Sequence, residues 1–238
     1  MTGRGQMILK LAHSAALGRE DYLVSASNKA AFAAVTGAQS GQRLALSGPE
    51  GAGKTHLASI WGERRAAVLV EATMLTEARI EQAREVPAVV VENADRIADL
   101  PAGARRQIET LLFHLFNIAV EDRSGLLITG RTPPARWRID TPDLLSRLSA
   151  MDHVAIEPPD DALLTSILSK LFSDRQITVH PDVLKYLVRR MERSFAAAET
   201  VVDDLDRMAL AEGRAITRPL AARLFADTAG DAANEQED

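Results

Sequence analysis

The octapeptide Gly48-Pro49-Glu50-Gly51-Ala52-Gly53-Lys54-Thr55 restricts what this chain can become more than any other feature. It fits the pattern GxxxxGK[ST] and follows the apolar run Leu44-Ala45-Leu46, so it falls where a buried strand turns into a helix. Glycines at those positions let backbone N–H groups close around phosphate oxygens. The Lys54 ammonium then reaches the terminal phosphates, and the Thr55 hydroxyl is placed for magnesium. A helix from Thr55 through Trp61 adds its N-terminal dipole to the anion site, with His56 on its first turn. A glycine-rich loop without a ligand is the alternative, but every motif position is filled and both flanks are right. The segment formed by Gly48, Pro49, Glu50, Gly51, Ala52, Gly53, Lys54, Thr55 and His56 is therefore expected to bind a nucleoside triphosphate or diphosphate.

What surrounds this loop sets the fold class. Short β-rich runs at Leu44–Ser47, Ala67–Glu71, Ala88–Glu92, Leu126–Thr129 and Val154–Glu157 alternate with helical stretches. Between the third and fourth, Ile108, Leu111, Leu112, Leu115 and Phe116 form a helical stripe within Arg105 to Val120. Alternation of this kind predicts an α/β unit with a five-stranded parallel, doubly wound sheet. At Glu157-Pro158-Pro159-Asp160 the pattern changes: two prolines break the chain and Asp160 or Asp161 can cap a new helix. Beyond it lie three helical faces, namely Leu163 to Phe172, Val183 to Met191 and Val201 to Ala209, with a short helix from Arg218 to Phe225 closing the unit. The expected organisation is a tail at 1–19, a nucleotide-binding α/β domain at 20–158, a small all-helical lid at 159–228 and a disordered acidic tail at 229–238.

Bulk properties narrow the function classes. At 238 residues the chain can bury a substantial core, and a formal net charge of −5 leaves no whole-chain basic footprint, so autonomous, sequence-blind DNA binding is not favoured; autonomous sequence-specific DNA binding is not expected either. The absence of cysteine excludes disulfides and thiol chemistry. No apolar run has the length of a membrane span, and the N-terminus lacks a signal-peptide core, which makes a cytoplasmic location the expectation.

Hydrolysis of a bound triphosphate needs a carboxylate at the end of a buried strand to hold magnesium. Val89-Val90-Val91-Glu92 supplies one, with a solvated strand-end acid as the alternative reading. Asn93 follows it where an active ATPase of this type commonly carries a second acid; Asn93 can orient a water but is a poor general base. Asp95 lies two residues on, and its use would require a shifted strand end. Thr129 ends Leu126-Leu127-Ile128 and either stands near the γ-phosphate or simply starts the turn at Gly130. Arg147, on a short helix after that strand, is by spacing alone an ordinary exposed arginine.

Taken together, GPEGAGKTHLA, VVVENAD, LLITGRTPPARW, DLLSRL and a helical lid ending near DDLDRMAL resemble the AAA+ core of the bacterial replication initiator DnaA, and more closely its shortened Hda-like relatives, which inactivate DnaA. The resemblance runs from about Gln6 to about Phe225, with Ala16 to Val24 and Ser27-Asn28 matching the segment that packs near the adenine. It implies ATP or ADP with Mg2+ as cofactors, Thr55 and Glu92 as metal-side groups, and Arg147 as an arginine finger acting in trans. It also implies that Gln6, Met7, Leu9 and Leu11 form a peptide that docks on the DNA polymerase sliding clamp (its beta subunit). DnaA and the clamp are the implied partners, and AAA+ surfaces also allow self-association. The chain departs from the family pattern at Ala196, where the lid of DnaA-type proteins presents a sensor arginine; Arg193 is nearly one turn earlier. The missing arginine and the missing second acid imply nucleotide binding with weak intrinsic ATPase activity. The implied function is a regulator that, with the clamp, stimulates ATP hydrolysis by DnaA and represses re-initiation of chromosome replication. Alternatives are a DnaA-like or helicase-loader-like ATPase acting on DNA or helicase, and a DnaA-binding paralogue that stimulates nothing.

Overall fold

A computed structural model of the chain describes residues 19–234, so the expected clamp peptide at Gln6, Met7, Leu9 and Leu11 lies outside the described residues. The first domain runs α1 (Lys29–Gly37), β1 (Arg43–Ser47), α2 (Lys54–Glu63), β2 (Val68–Glu71), α3 (Glu77–Ala83), β3 (Ala88–Glu92), α4 (Ala102–Glu121), β4 (Gly125–Gly130), α5 (Pro142–Ser149) and β5 (Asp152–Ala155). All strand pairs are parallel, in the order β2-β3-β4-β1-β5. Successive side chains on a strand point to opposite faces, and both faces here are covered. Leu44, Leu46, Val90 and Leu127 pack with Leu57 and Trp61 of α2 and Val35 of α1. Ala45, Val89, Val91, Leu126 and Ile128 pack with Ile80, Leu112, Leu115 and Leu144 from α3, α4 and α5. Removing each such leucine or isoleucine from water contributes about 1.5–3 kcal/mol.

Parallel pairing brings the C-terminal ends of β1, β3 and β4 to one edge, the place where open α/β sheets bind ligands. Leu46 lies opposite Thr129, and Ser47 opposite Gly130, so β4 is indeed the strand beside the phosphate loop. The expected strand at Val154–Glu157 is corrected: β5 spans Asp152–Ala155, because its register is set by pairing Leu44 with Asp152 through Ser47 with Ala155. Beyond the strand, Ile156 N–H still donates to the Ser47 carbonyl at 2.7 Å.

The helical lid consists of α6 (Asp161–Asp174), α7 (Pro181–Val188), α8 (Phe195–Glu212) and α9 (Arg218–Asn234) around a core of Leu164, Leu168, Phe172, Leu187, Val202 and Leu205. Asp160 is the cap of α6: Leu163 N–H donates to its carboxylate at 2.7 Å, and that hydrogen bond holds the Asp160 carboxyl below its ordinary value. Ser194 caps α8 in the same way, accepting from Ala197 N–H at 3.0 Å. Gly213, in the left-handed conformation, ends α8. α9 continues to Asn234, past Phe225 where the sequence reading ends it and into the expected acidic tail. Its extension is alanine-rich, and one glycine in a helix interior costs only about 1 kcal/mol. Among the described residues no helix is long and apolar enough to cross a membrane.

Candidate nucleotide-binding site

The phosphate loop is held from both sides. Gly51 and Gly53 have φ values of 69° and 94°, which side-chain-bearing residues rarely adopt. At Gly51 a Cβ would also lie 2.7 Å from the Ser194 side chain, so glycine is required there for conformation and for space. Phe195 N–H donates to the Gly51 carbonyl at 2.9 Å, which joins the first turn of α8 directly to the loop. On the sheet side, Gly48 N–H donates to the Gly130 carbonyl at 3.2 Å.

Gly53 is the N-cap of α2 and no described side chain caps that helix, leaving its first-turn N–H groups for an anion. Lys54 is only 8% exposed, and its ammonium donates to the carbonyls of Gly48 at 2.8 Å and Pro49 at 2.9 Å. Burial pushes its pKa down; the charges of Asp95, Glu50 and Glu92 oppose that, and Arg131 adds to it. Thr55 is exposed. Gly51, Gly53, Lys54, Thr55 and His56 line one wall of a cavity of about 760 Å³. Leu23, Ile167, Leu171 and Phe195 supply apolar lining, while Ala196 and Glu199 of α8 and Lys170 and Arg175 of α6 complete the lid side. This volume suits a nucleotide-sized ligand. The segment before α1 is firmly placed: Tyr22 stacks on Phe32 with ring centroids 5.5 Å apart, and Asn28 bridges Ser25 N–H and the Leu23 carbonyl.

The expected catalytic residues reach different places. Glu92 ends β3 as anticipated, and its Oε1 is buried with no protein partner, an acceptor fit for a cation. Asn93 adopts a left-handed φ of 55°; its N–H donates to Thr129 Oγ1 at 3.0 Å and its amide donates to Glu71 at 2.9 Å. Asn93 lines the cavity with its amide engaged on Glu71, and Thr129, 1% exposed, ties β3 to β4.

Sequence reasoning undervalued Asp95. The chain turns at Asn93 into a 3-10 helix, Ala94–Asp99, which buries Asp95 without any shift of the strand end, and its charge opposes the lowering of the Lys54 pKa. Asp95 pairs with Arg131 at 2.5 Å, a residue that sequence reasoning did not single out. Its position directly after the Thr129-Gly130 strand tip was the only available signal.

Arg147 sits on α5, outside the lining of the cavity. It does not extend from the surface: its guanidinium lies over Phe113 and Phe116 of α4 at 5.0 and 6.0 Å, donates to Asn117 Oδ1 at 3.1 Å and is 3.6 Å from Asp143. It is 39% exposed, neither a freely solvated arginine nor an outstretched one. The N-terminus of α5 is fixed by the fully buried Glu109, which accepts from Asp140 N–H, Thr141 N–H and the Thr141 hydroxyl. Arg193 is held by the Pro159 carbonyl and by Asp161 at 2.5 Å, in the hinge between the domains and outside the cavity lining, so it does not stand in for a cation at Ala196.

Residues 161–224, which run from α6 into the first two turns of α9, match the family model described as Hda, lid domain. Domain III of the Thermotoga maritima replication initiation protein DnaA superposes with a TM-score of 0.77 at 18% identity, over 89% of this chain and 96% of that one. AMPPCP-bound DnaA from Aquifex aeolicus gives a TM-score of 0.66 at 17% identity, over 79% of this chain and 64% of that one. A DNA replication initiation factor gives 0.68 at 18% identity, over 79% and 63%. The chain therefore spans less than two thirds of the length of these last two proteins. At such identities the likeness establishes the fold, an α/β core with a parallel five-stranded sheet followed by a helical lid.

Proposed function

We propose that this chain is an Hda-like, DnaA-related AAA+ protein that binds an adenine nucleotide and stimulates ATP hydrolysis by DnaA, restraining re-initiation of replication together with the sliding clamp; the lid-domain match and the DnaA-like fold support this reading. The observation that carries this reading is a division within the molecule. A complete phosphate loop and a nucleotide-sized cavity stand beside a lid with alanine at 196, while Arg147 lies outside that cavity on α5. A site built this way would hold nucleotide and turn it over poorly; an arginine carried on a separate helix would serve another subunit's ATP once released from Asn117 and Asp143.

In the cis site, the first-turn N–H groups of α2 and the Lys54 ammonium would bind the phosphates, with Lys54 leaving the carbonyls of Gly48 and Pro49. A magnesium ion would be held by the Thr55 hydroxyl and the Glu92 carboxylate, and when bound it would supply charge neutralisation between the phosphates. Leu23, Ile167 and Leu171 would take the adenine. In the trans reaction Arg147 would leave Asn117 and Asp143 and set its guanidinium against the transferring phosphoryl group of DnaA. Such a finger raises the rate by roughly 10³–10⁵. The exchange is feasible because the contacts it breaks are a half-exposed ion pair and ring contacts worth about 1 kcal/mol each.

The decisive measurement is ADP formation on DnaA with clamp-loaded DNA, comparing the natural chain with Arg147→Ala. A loss of at least a hundredfold in stimulation is expected; unchanged stimulation removes the finger from the reading. Deletion of residues 6–11 should abolish retention on immobilised clamp. A second reading, an ATPase that acts directly on DNA or a helicase, draws support from the buried Asp95 carboxylate, whose charge acts on Lys54, and predicts DNA-stimulated turnover by this chain alone.

A further inference from the structure

The net charge of −5 hides an uneven distribution of cations. Lys185 and Tyr186 belong to α7, Arg189 and Arg190 follow at its C-terminal end, and Arg218 is the first residue of α9. The four cations are exposed, and Tyr186 is half-buried against Phe225, with ring centroids 6.2 Å apart. Arg190 and Arg218 both lie over the Tyr186 ring, their guanidinium carbons 4.5 and 5.4 Å from its centroid. One phenol thus gathers cations from two helices on a single face of the lid.

Helix electrostatics account for only part of this. The C-terminal end of α7 favours Arg189 and Arg190. Arg218, however, stands at the N-terminus of α9, the end whose macrodipole disfavours a cation, and the first turn of that helix carries no acid. Lys185 and Arg189 are like charges four residues apart, a spacing that repels. Among the described residues no carboxylate forms an ion pair with Lys185, Arg189, Arg190 or Arg218, and the nearby acids face elsewhere. Asp182, at the other end of α7, is 3.4 Å from His180, and Glu212 is 2.7 Å from Arg223. Glu192 lines a different hollow with Glu50 and Asp204.

Cations brought together against their repulsion, without counter-charges, form a surface that a polyanion would relieve. Three of the four are arginines, whose planar fork matches phosphate oxygens. They spread over two helices and converge on no pocket, a layout that suits a run of phosphates better than a single anion. Among the described residues none of the exposed large apolar side chains belongs to α7 or α9, so this face has nothing to insert into a lipid surface. We propose that it binds the phosphate backbone of duplex DNA without regard to sequence, through Arg189, Arg190, Arg218 and Lys185, with Tyr186 holding two of the guanidinium groups in place. None of these residues lines the nucleotide cavity, and the contact stands whether or not that cavity holds a nucleotide. In the reaction proposed above it would set the lid against the clamp-loaded duplex.

The test is fluorescence anisotropy of the full chain with labelled duplexes of about 20 base pairs, in two unrelated sequences, across a range of salt. Four phosphate contacts predict a slope of about −3.5 for log affinity against log salt, at about 0.9 per phosphate. Arg189→Gln/Arg190→Gln/Arg218→Gln is expected to weaken binding at least tenfold at low salt and to flatten the slope to about −1. The same three positions changed to lysine keep the charge and should retain most of the affinity, which separates the loss from a folding defect. Arg136→Gln/Arg138→Gln, which removes two exposed arginines of the first domain, should leave affinity and slope unchanged. The inference is overturned if the chain binds neither duplex, or if the lysine or the first-domain variant loses as much as the glutamine variant. It is overturned equally if poly-glutamate or phosphatidylglycerol vesicles occupy the surface as well as DNA does. None of these outcomes touches the nucleotide reading, which titration with ADP tests separately.

Discussion

The two ends of the nucleotide cavity are built on different principles. At the sheet end, Lys54 rests on two loop carbonyls, while Glu92 and Asp95, which do not themselves line the cavity, each keep one buried oxygen without a partner. At the lid end, Ile167, Leu171 and Phe195 supply apolar lining beside the charged Lys170, Arg175 and Glu199. Unpaired buried oxygens cost about 1–3 kcal/mol each, so the sheet end is a place where stability is held in reserve for a ligand. The lid end carries no such reserve. The difference teaches that grip on the phosphates and closure of the lid are separate properties, and that only the first is fully equipped here.

Four substitutions break or sharpen this contrast. The largest effect is expected for Phe172→Ala in the centre of the lid core, about 3–5 kcal/mol of stability by chemical denaturation, with nucleotide affinity falling although no phosphate contact is touched. If affinity survives a loosened lid, the sheet end alone holds the ligand. Lys54→Ala should weaken ADP and ATP alike by about a hundredfold in fluorescence titration and leave the fold intact, since it removes the principal cation of the loop. Ala196→Arg adds a cation to the α8 wall of the cavity; single-turnover assays should show intrinsic hydrolysis rising about tenfold, and no rise would mean that lid geometry, not charge, limits the site.

The smallest effect is expected for Asp160→Ala, about 1 kcal/mol from the lost cap of α6. This one depends on pH. The Asp160 carboxyl is held below its ordinary 3.8 by the Leu163 N–H, so its stabilisation is complete above that pH and fades as the pH falls through the lowered value. The natural chain should lose its advantage over the variant in acid, and a constant difference from neutral pH down to about pH 2 would argue against the cap.

Much of this architecture is legible in the sequence because local rules and tertiary structure agree. The phosphate loop, the apolar runs of β1, β3 and β4 and the three lid stripes emerge within a few residues of their observed bounds. What was not legible depended on backbone geometry or on distant contacts. β5 is an exposed edge strand whose register comes from β1 and not from its own pattern. Asp95 entered the site through a left-handed Asn93 and a 3-10 turn, neither of which has a periodic signature. The folded-back pose of Arg147 depends on Phe113, Phe116 and Asn117, some thirty residues away on α4, and has no local signature. Arg131 had no pattern at all around it.

The join between Phe195 and Gly51 has a mechanical consequence. α8 is 18 residues long, about 27 Å at 1.5 Å per residue, and its first residue is hydrogen-bonded to the Gly51 backbone. A tilt of about 5° about that join would swing the far end by about 2 Å. Near that far end stands Leu210, 75% exposed.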